Sequence, residues 1–222
     1  MQVTICTANC VGQAGNCSYP NKVTVVTPEQ LQEAVKKDHV CAEFKGNYRS
    51  IENFIRSDVI VMDIDNDHSE VPADWITSEK LEELFPNVEY LLAPSRHHLL
   101  GKEGKSARPR YHMYFPISEI TDASRYANLK KAIQSAYSFF DGNALDAARF
   151  IFGAECDEVF FHEGWMTVDE EVEISDTEEG DFDSDMSGGK SIGPILEGSR
   201  NNTMSRFAGR VLKRYGDTEK ST

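Results

Sequence analysis

Three groups of residues in this chain have types and spacings suited to chemistry. Asp63-Ile64-Asp65 closes an apolar, β-branched run, Val59-Ile60-Val61-Met62. Side chains alternate along a strand, so both carboxylates point to one face while Ile64 packs on the other. Two carboxylates that close repel each other, and a divalent cation relieves the repulsion. Hard oxygen donors suit Mg²⁺ or Mn²⁺. An Asp-x-Asp alone is as readily a pair of solvated loop acids, and it is the apolar strand before it that favours a metal. The second group is Arg108-Pro109-Arg110-Tyr111-His112-Met113-Tyr114-Phe115. Alternation puts Arg110, His112 and Tyr114 on one face, where a cation and an imidazole suit a polyphosphate or a nucleic-acid backbone. The third runs from Asp141 through Gly142 and Asp146 to Arg149. Either Asp141 or Asp146 could be a third metal ligand or a turn residue, and Arg149 a phosphate contact. An acidic pair, a strand His and a later Asp…Arg, in that order, are the parts of a nucleotidyl-transfer site. There, two metals clamp the attacking and leaving oxygens and cationic donors hold the triphosphate.

The order and spacing of these residues resemble the archaeo-eukaryotic primase superfamily, in particular the primase-polymerases of phages, plasmids and other mobile elements. That family carries an Asp-x-Asp motif, a small-x-His motif and a third acidic motif, matched here by Asp63/Asp65, His112 and Asp141. The resemblance implies a DNA primase-polymerase that makes or extends primers for replication of a mobile element. Asp63, Asp65 and Asp141 (with Asp146 as a rival) would hold two Mg²⁺ or Mn²⁺ ions, and His112 would contact the triphosphate of the incoming nucleotide. Asp63, Asp65, His112 and Asp141 are thus the expected catalytic set. The implied partners are a single-stranded DNA template or primer, (d)NTPs, and a helicase domain or protein. The implied fold is an α+β catalytic domain with a central mixed sheet flanked by helices. One departure stands out: Arg110 occupies the place of the family's small residue.

Other basic residues divide by position. Arg110 and Arg149 are expected to grip the triphosphate beside His112. Lys45 and Arg49, in FKGNYRSIENF before the metal strand, either line the nucleotide pocket or cap a turn. Arg96, Lys102, Lys105 and Arg108 lie in a loop that could track a template backbone or simply be solvated.

The elements that must position these groups follow from pattern. Strands are expected at Val3–Cys6, Val40–Phe44, Val59–Asp65, Val88–Ala93, Tyr111–Ile117, Arg149–Phe152 and Glu158–Phe161. Thr27-Pro28-Glu29-Gln30 reads as a helix start, a short helix spans Thr77–Leu84, and a long one runs from Thr121 to about Phe140. Residues 1–167 are expected to form the catalytic domain. Residues 168–190 read as an acidic flexible linker, with ten carboxylates and no Lys or Arg between 166 and 189. Residues 191–222 read as the start of a helical domain that the chain does not complete; Met204, Phe207, Val211 and Leu212 recur there at helical spacing.

The formal net charge of −14 would argue against a nucleic-acid partner if it were evenly spread. It is not: the linker holds much of the acid and the final segment has seven basic residues against three acidic. No apolar run is long enough for a membrane span, and the N-terminus lacks a secretory pattern, so a cytoplasmic protein is expected. Five Cys suit a reducing compartment. Cys6, Cys10 and Cys17 offer one tight pair where structural zinc sites use two, so thiols rather than zinc are expected. The rivals are a glycosyltransferase using Asp-x-Asp with Mn²⁺, a replication-initiator nuclease, and a binding module with a degenerate site. The nuclease needs a second His that His112-Met113-Tyr114 lacks.

Overall fold

Strands form where β-branched and aromatic residues concentrate, and caps start the helices between them. A computed structural model of the chain describes residues 1–172. The elements are β1 (Val3–Thr7), β2 (Asn21–Val25), α1 (Pro28–Val35), β3 (His39–Val40), β4 (Glu43–Phe44), β5 (Phe54–Ile64), α2 (Ser78–Leu84), β6 (Tyr90–Pro94), β7 (Tyr111–Ile120), α3 (Ala123–Ala136), β8 (Phe150–Ile151) and β9 (Phe160–His162). Thr27 caps α1 through a reciprocal bond pair with Gln30, and Pro28 opens the helix. Thr77 caps α2 and Asp122 caps α3.

The strands make two sheets, ordered β2-β1-β3-β8 and β4-β5-β7-β6-β9, and every pairing of these strands is antiparallel. The expected mixed sheet is therefore corrected. Each named strand runs against its neighbours in the sheet, even where the connection carries a helix, as α2 does between β5 and β7, so no parallel pair of named strands arises. The flanking is corrected too. One face of the larger sheet, through Val59, Val61, Leu91, Ala93 and Tyr114, packs with Val3, Ile5 and Ile151 of the smaller sheet and Leu31 of α1. The other face, through Ile60, Met62, Met113 and Phe115, packs under Leu81 of α2 and Tyr126 and Ile133 of α3. The layers are thus sheet, sheet and helices, and the central strands β5 and β7 are apolar on both sides.

Two strand boundaries differ from the sequence pattern. Val40–Phe44 is two strands, because Cys41 and Ala42 are buried where the chain passes from one sheet to the other. β2 was not expected; its NKVTV is mostly exposed on a sheet edge, so little hydrophobic signal marks it. The linker boundary also moves. Val168 and Val172 are buried in the helix-side core, so residues 168–172 belong to the folded unit. The rest of the expected linker and the expected helical segment lie outside the described residues. Among the described residues, no helix is long and apolar enough to cross a membrane.

Candidate active site

β5 and β7 place Asp63 directly opposite His112 in their register. Asp63 continues the face of Val59 and Val61, so its side chain enters the space between the two sheets at the strand end. It is nearly buried. His112 Nδ1–H donates to Asp63 Oδ1 at 2.8 Å, and Arg149 Nη2 donates to Asp63 Oδ2 at 3.0 Å. With Nδ1 so engaged, Nε2 is the ring nitrogen left to meet a ligand. Arg149 reaches across from the residue before β8, an edge strand of the other sheet. The two sheets thus converge on one carboxylate. Burial alone would raise the Asp63 carboxyl, but its contact with His112 and the charges of Arg149 and Lys130 outweigh it and hold the group well below the usual carboxylate range.

These residues line an open cleft of about 340 Å³ that also takes in Asp65, Arg96, His97, Lys102 and the Phe150–Phe152 segment. Asp65 is half-exposed and lies 3.7 Å from Lys102 and 3.8 Å from Arg110. The following residue, Asn66, is in the left-handed region at φ 54°, which Asn tolerates. Its amide accepts from the Ile76 N–H and donates to the carbonyls of Ile76 and Pro109. That buried amide fixes the turn that brings Asp65 to the cleft.

A layer of buried polar groups lies near Asp63. Lys130 on α3 is fully buried and donates to the Ala144 carbonyl at 2.5 Å. Burial pushes its amine down to about 8, and the Asp63 charge offsets part of the fall. His39 is also buried, between the Lys37 carbonyl and the Tyr114 hydroxyl, each at 2.8 Å. A carbonyl only accepts, so Nδ1 carries the proton and Nε2 accepts from Tyr114. Burial pushes His39 down to about 4, in keeping with a neutral ring.

No protein-family model matches the chain, and no curated protein matches it in sequence. Among solved structures, the chain is similar to the AEP domain of the cyanophage S-2L primase-polymerase (PrimPol), at 13% identity and a TM-score of 0.43. The match covers 78% of this chain and 87% of that one.

The residues singled out from sequence separate into three sets. Asp63, Asp65, His112 and Arg149 come together, with Arg96 and Lys102 on the same cleft. Asp141 and Asp146 come near without joining them. The Asp141 N–H donates to the Asp63 carbonyl at 2.9 Å, but its carboxylate accepts from the Asn143 backbone and side chain. Asp146 accepts from the Ala148 N–H. Both are turn residues as placed. Among the described residues, no three His, Cys, Asp or Glu are gathered at metal-binding distance.

The third set is turned elsewhere. Arg108 is fully buried and bonds the carbonyls of Asn66 and Ser69 and the Glu70 carboxylate, stapling the 66–70 turn. Arg110 is fully buried too. It donates to the carbonyls of His97 and Leu100 and faces Asp65 and Asp67, so it shapes its own loop and does not meet solvent. Lys105 pairs with Asp67 at 2.8 Å. Lys45 is exposed on a turn after β4, and Arg49 bonds the Ala148 carbonyl and covers the Phe150 ring; neither lines the cleft. Charge normally predicts exposure, which is why the burial of Arg108, Arg110 and Lys130 escaped the sequence pattern.

Proposed function

We propose that this chain carries out metal-dependent, template-directed nucleotidyl transfer, making or extending primers on single-stranded DNA from (d)NTPs. One observation carries the proposal: Asp63, His112 and Arg149, from two sheets, converge on a cleft that also holds Asp65, Arg96 and Lys102. That is a pair of hard oxygen donors next to a bank of cationic and imidazole donors.

The donor set suits a divalent cation. Mg²⁺ commonly takes one or two protein carboxylates and completes its shell with water and substrate phosphates. Asp63 and Asp65 supply two such carboxylates; Glu103 lines the same cleft, but among the described residues no three such donors are gathered at metal-binding distance. When bound, the ion would supply charge neutralisation at the reacting phosphate and a lowered pKa for the attacking hydroxyl. The chain's own residues do the rest. Asp63 fixes the His112 ring through Nδ1, which leaves Nε2 to meet the ligand in the cleft. Arg149, half-exposed, shares itself between Asp63 and the ligand space. Lys102 and Arg96 bring further charge to the mouth.

Primer extension on a single-stranded DNA template with Mg²⁺ or Mn²⁺ tests this. Replacing both Asp63 and Asp65 by Ala is expected to abolish extension while DNA binding largely survives. Extension that persists in the double variant refutes the assignment of the site. Wild-type protein that extends no primer with either metal refutes the activity.

A further inference from the structure

We infer that Arg96, stacked on Phe152 at the cleft, forms the platform on which the substrate's nucleobase stacks. This rests on the nucleotidyl-transfer proposal and names the subsite that the phosphate-binding groups leave unassigned.

The polar residues account for one part of the cleft. Another is lined by Phe150 and Phe152, both half-buried. The Arg96 guanidinium sits 4.2 Å from the centre of the Phe152 ring, and Phe150 meets Phe152 edge-to-face at 4.8 Å. Arg96 is exposed and lines the cleft while it stacks on Phe152, so the stack borders the space a ligand would enter. Bases stack on aromatic rings and on guanidinium planes, and a stack beside a phosphate site matches a nucleotide's two halves.

The platform is braced from beneath. Asp38 is fully buried and accepts N–H bonds from Gly12, Gln13 and Gly153 at 2.8–3.0 Å. Gly153 directly follows Phe152. A Cβ there would lie 2.4 Å from the Lys36 carbonyl oxygen, so only glycine fits. Gly12 has φ +76°, and a Cβ there would lie 3.9 Å from Arg96 Nη1. One buried carboxylate therefore holds the loop beside Arg96 and the residue after Phe152 in a single arrangement. The rigidity suits a surface that must present a flat face.

The test uses the full chain with Mg²⁺ and the triphosphate of 2-aminopurine deoxyriboside, whose fluorescence is quenched on stacking. Inorganic tripolyphosphate, which has no base, is the competitor. Phe152→Leu keeps an apolar side chain, and Arg96→Lys keeps the charge on an exposed residue. Each is expected to weaken the fluorescent nucleotide about tenfold and relieve its quenching, with the affinity for tripolyphosphate within about twofold of wild type. Wild-type affinity and quenching in both variants overturn the platform. Equal losses for nucleotide and tripolyphosphate in both variants also overturn it, because the effect would then be charge or structure and not stacking. Wild-type protein that binds neither probe overturns the nucleotidyl-transfer proposal itself, and the platform with it.

Discussion

Replacing Lys130 by Met should stabilise the folded protein at neutral pH and destabilise it in strong alkali. Lys130 is fully buried on α3, and its amine is pushed down from 10.5 to about 8. A fall of that size means that the charged form costs the folded state about 3 kcal/mol. The sign follows from proton counts. At pH 7 both folded and unfolded chains hold the proton, so the folded state bears the full penalty. Between pH 8 and 10.5 the folded chain releases the proton while the unfolded chain keeps it, so stability rises with pH in that window. Met removes the penalty but leaves the Ala144 carbonyl without its donor, a loss of about 1–2 kcal/mol. The net gain at pH 7 is then about 1–2 kcal/mol, or roughly 2–8 °C in Tm for a domain of this size. Above pH 10.5 only the lost hydrogen bond remains, and the variant becomes the less stable protein by a similar amount. Denaturant unfolding of both proteins at pH 7, 9 and 10.5 measures the difference, in which tyrosine and cysteine titrations common to both cancel. A stability difference that does not change over that range refutes the account of Lys130 as a charge held against its burial.

Three further outcomes follow from particular contacts. His39 is held neutral by burial, with its imidazole pushed down to about 4, so protonation favours the unfolded chain and stability is lost as pH falls from 6.5 towards 4; His39→Gln should show a shallower acid slope in unfolding titrations. Gly153→Ala forces a Cβ against the Lys36 carbonyl and should lower the unfolding free energy by about 2 kcal/mol or more, read by denaturant melts. Asp141→Asn keeps an acceptor for the Asn143 N–H groups, so primer extension should stay within about tenfold of wild type if the residue only shapes the turn; a loss as large as that of Asp63→Asn would mark it as a ligand instead.

The parts of the fold legible in the sequence are those where side-chain chemistry and local geometry agree. β5 and β7 are dense in β-branched and aromatic residues, which makes them legible as strands, but their register, which sets Asp63 opposite His112 and Arg110 near Asp65, comes from the folded sheet and not from either strand's own alternation. Thr27 and Thr77 announce their helices because a hydroxyl at that position bonds an otherwise unpaired N–H. What stayed hidden depends on distant contacts. Whether β5 is covered by helices or by a second sheet is invisible to its own apolar pattern, since either layer buries both faces. Lys130 sits in an amphipathic helix where a lysine signals solvent, and it is covered where the 141–149 segment, tied to Asp63 through the Asp141 N–H, brings the Ala144 carbonyl over it. The aromatic pair Phe150 and Phe152 reads as an ordinary strand until the Asp38 clamp and Arg96 are placed around it.

The arrangement of charge explains how the cleft balances its own charges, since Asp63, Asp65 and Glu103 line it together with Arg96, Lys102 and Arg149. The contacts to Asp63 are short, nearly buried and shared between His112 and Arg149, so breaking one leaves a charge without its partner in a poorly solvated place. The contacts to Asp65 are longer, at 3.7–3.8 Å, and Asp65 and Lys102 are each about a third exposed. A partly exposed pair such as Asp65–Lys102 contributes about 0–1 kcal/mol. A cation arriving at Asp65, or a phosphate arriving at Lys102, therefore exchanges a weak internal partner for a stronger external one at little cost. Asp63 acts as the fixed pole that orients His112 and Arg149. Under the proposed function, Asp65 and Lys102 would be the exchangeable pole, paired with each other until a metal-bound polyphosphate separates them. Such an exchange predicts that metal and nucleotide bind more tightly together than either does alone, because each removes the other's internal competitor. Titrating Mg²⁺ with and without a non-hydrolysable nucleoside triphosphate measures that coupling. Equal Mg²⁺ affinity in the two titrations would show that the Asp65–Lys102 pair is not what the ligands displace.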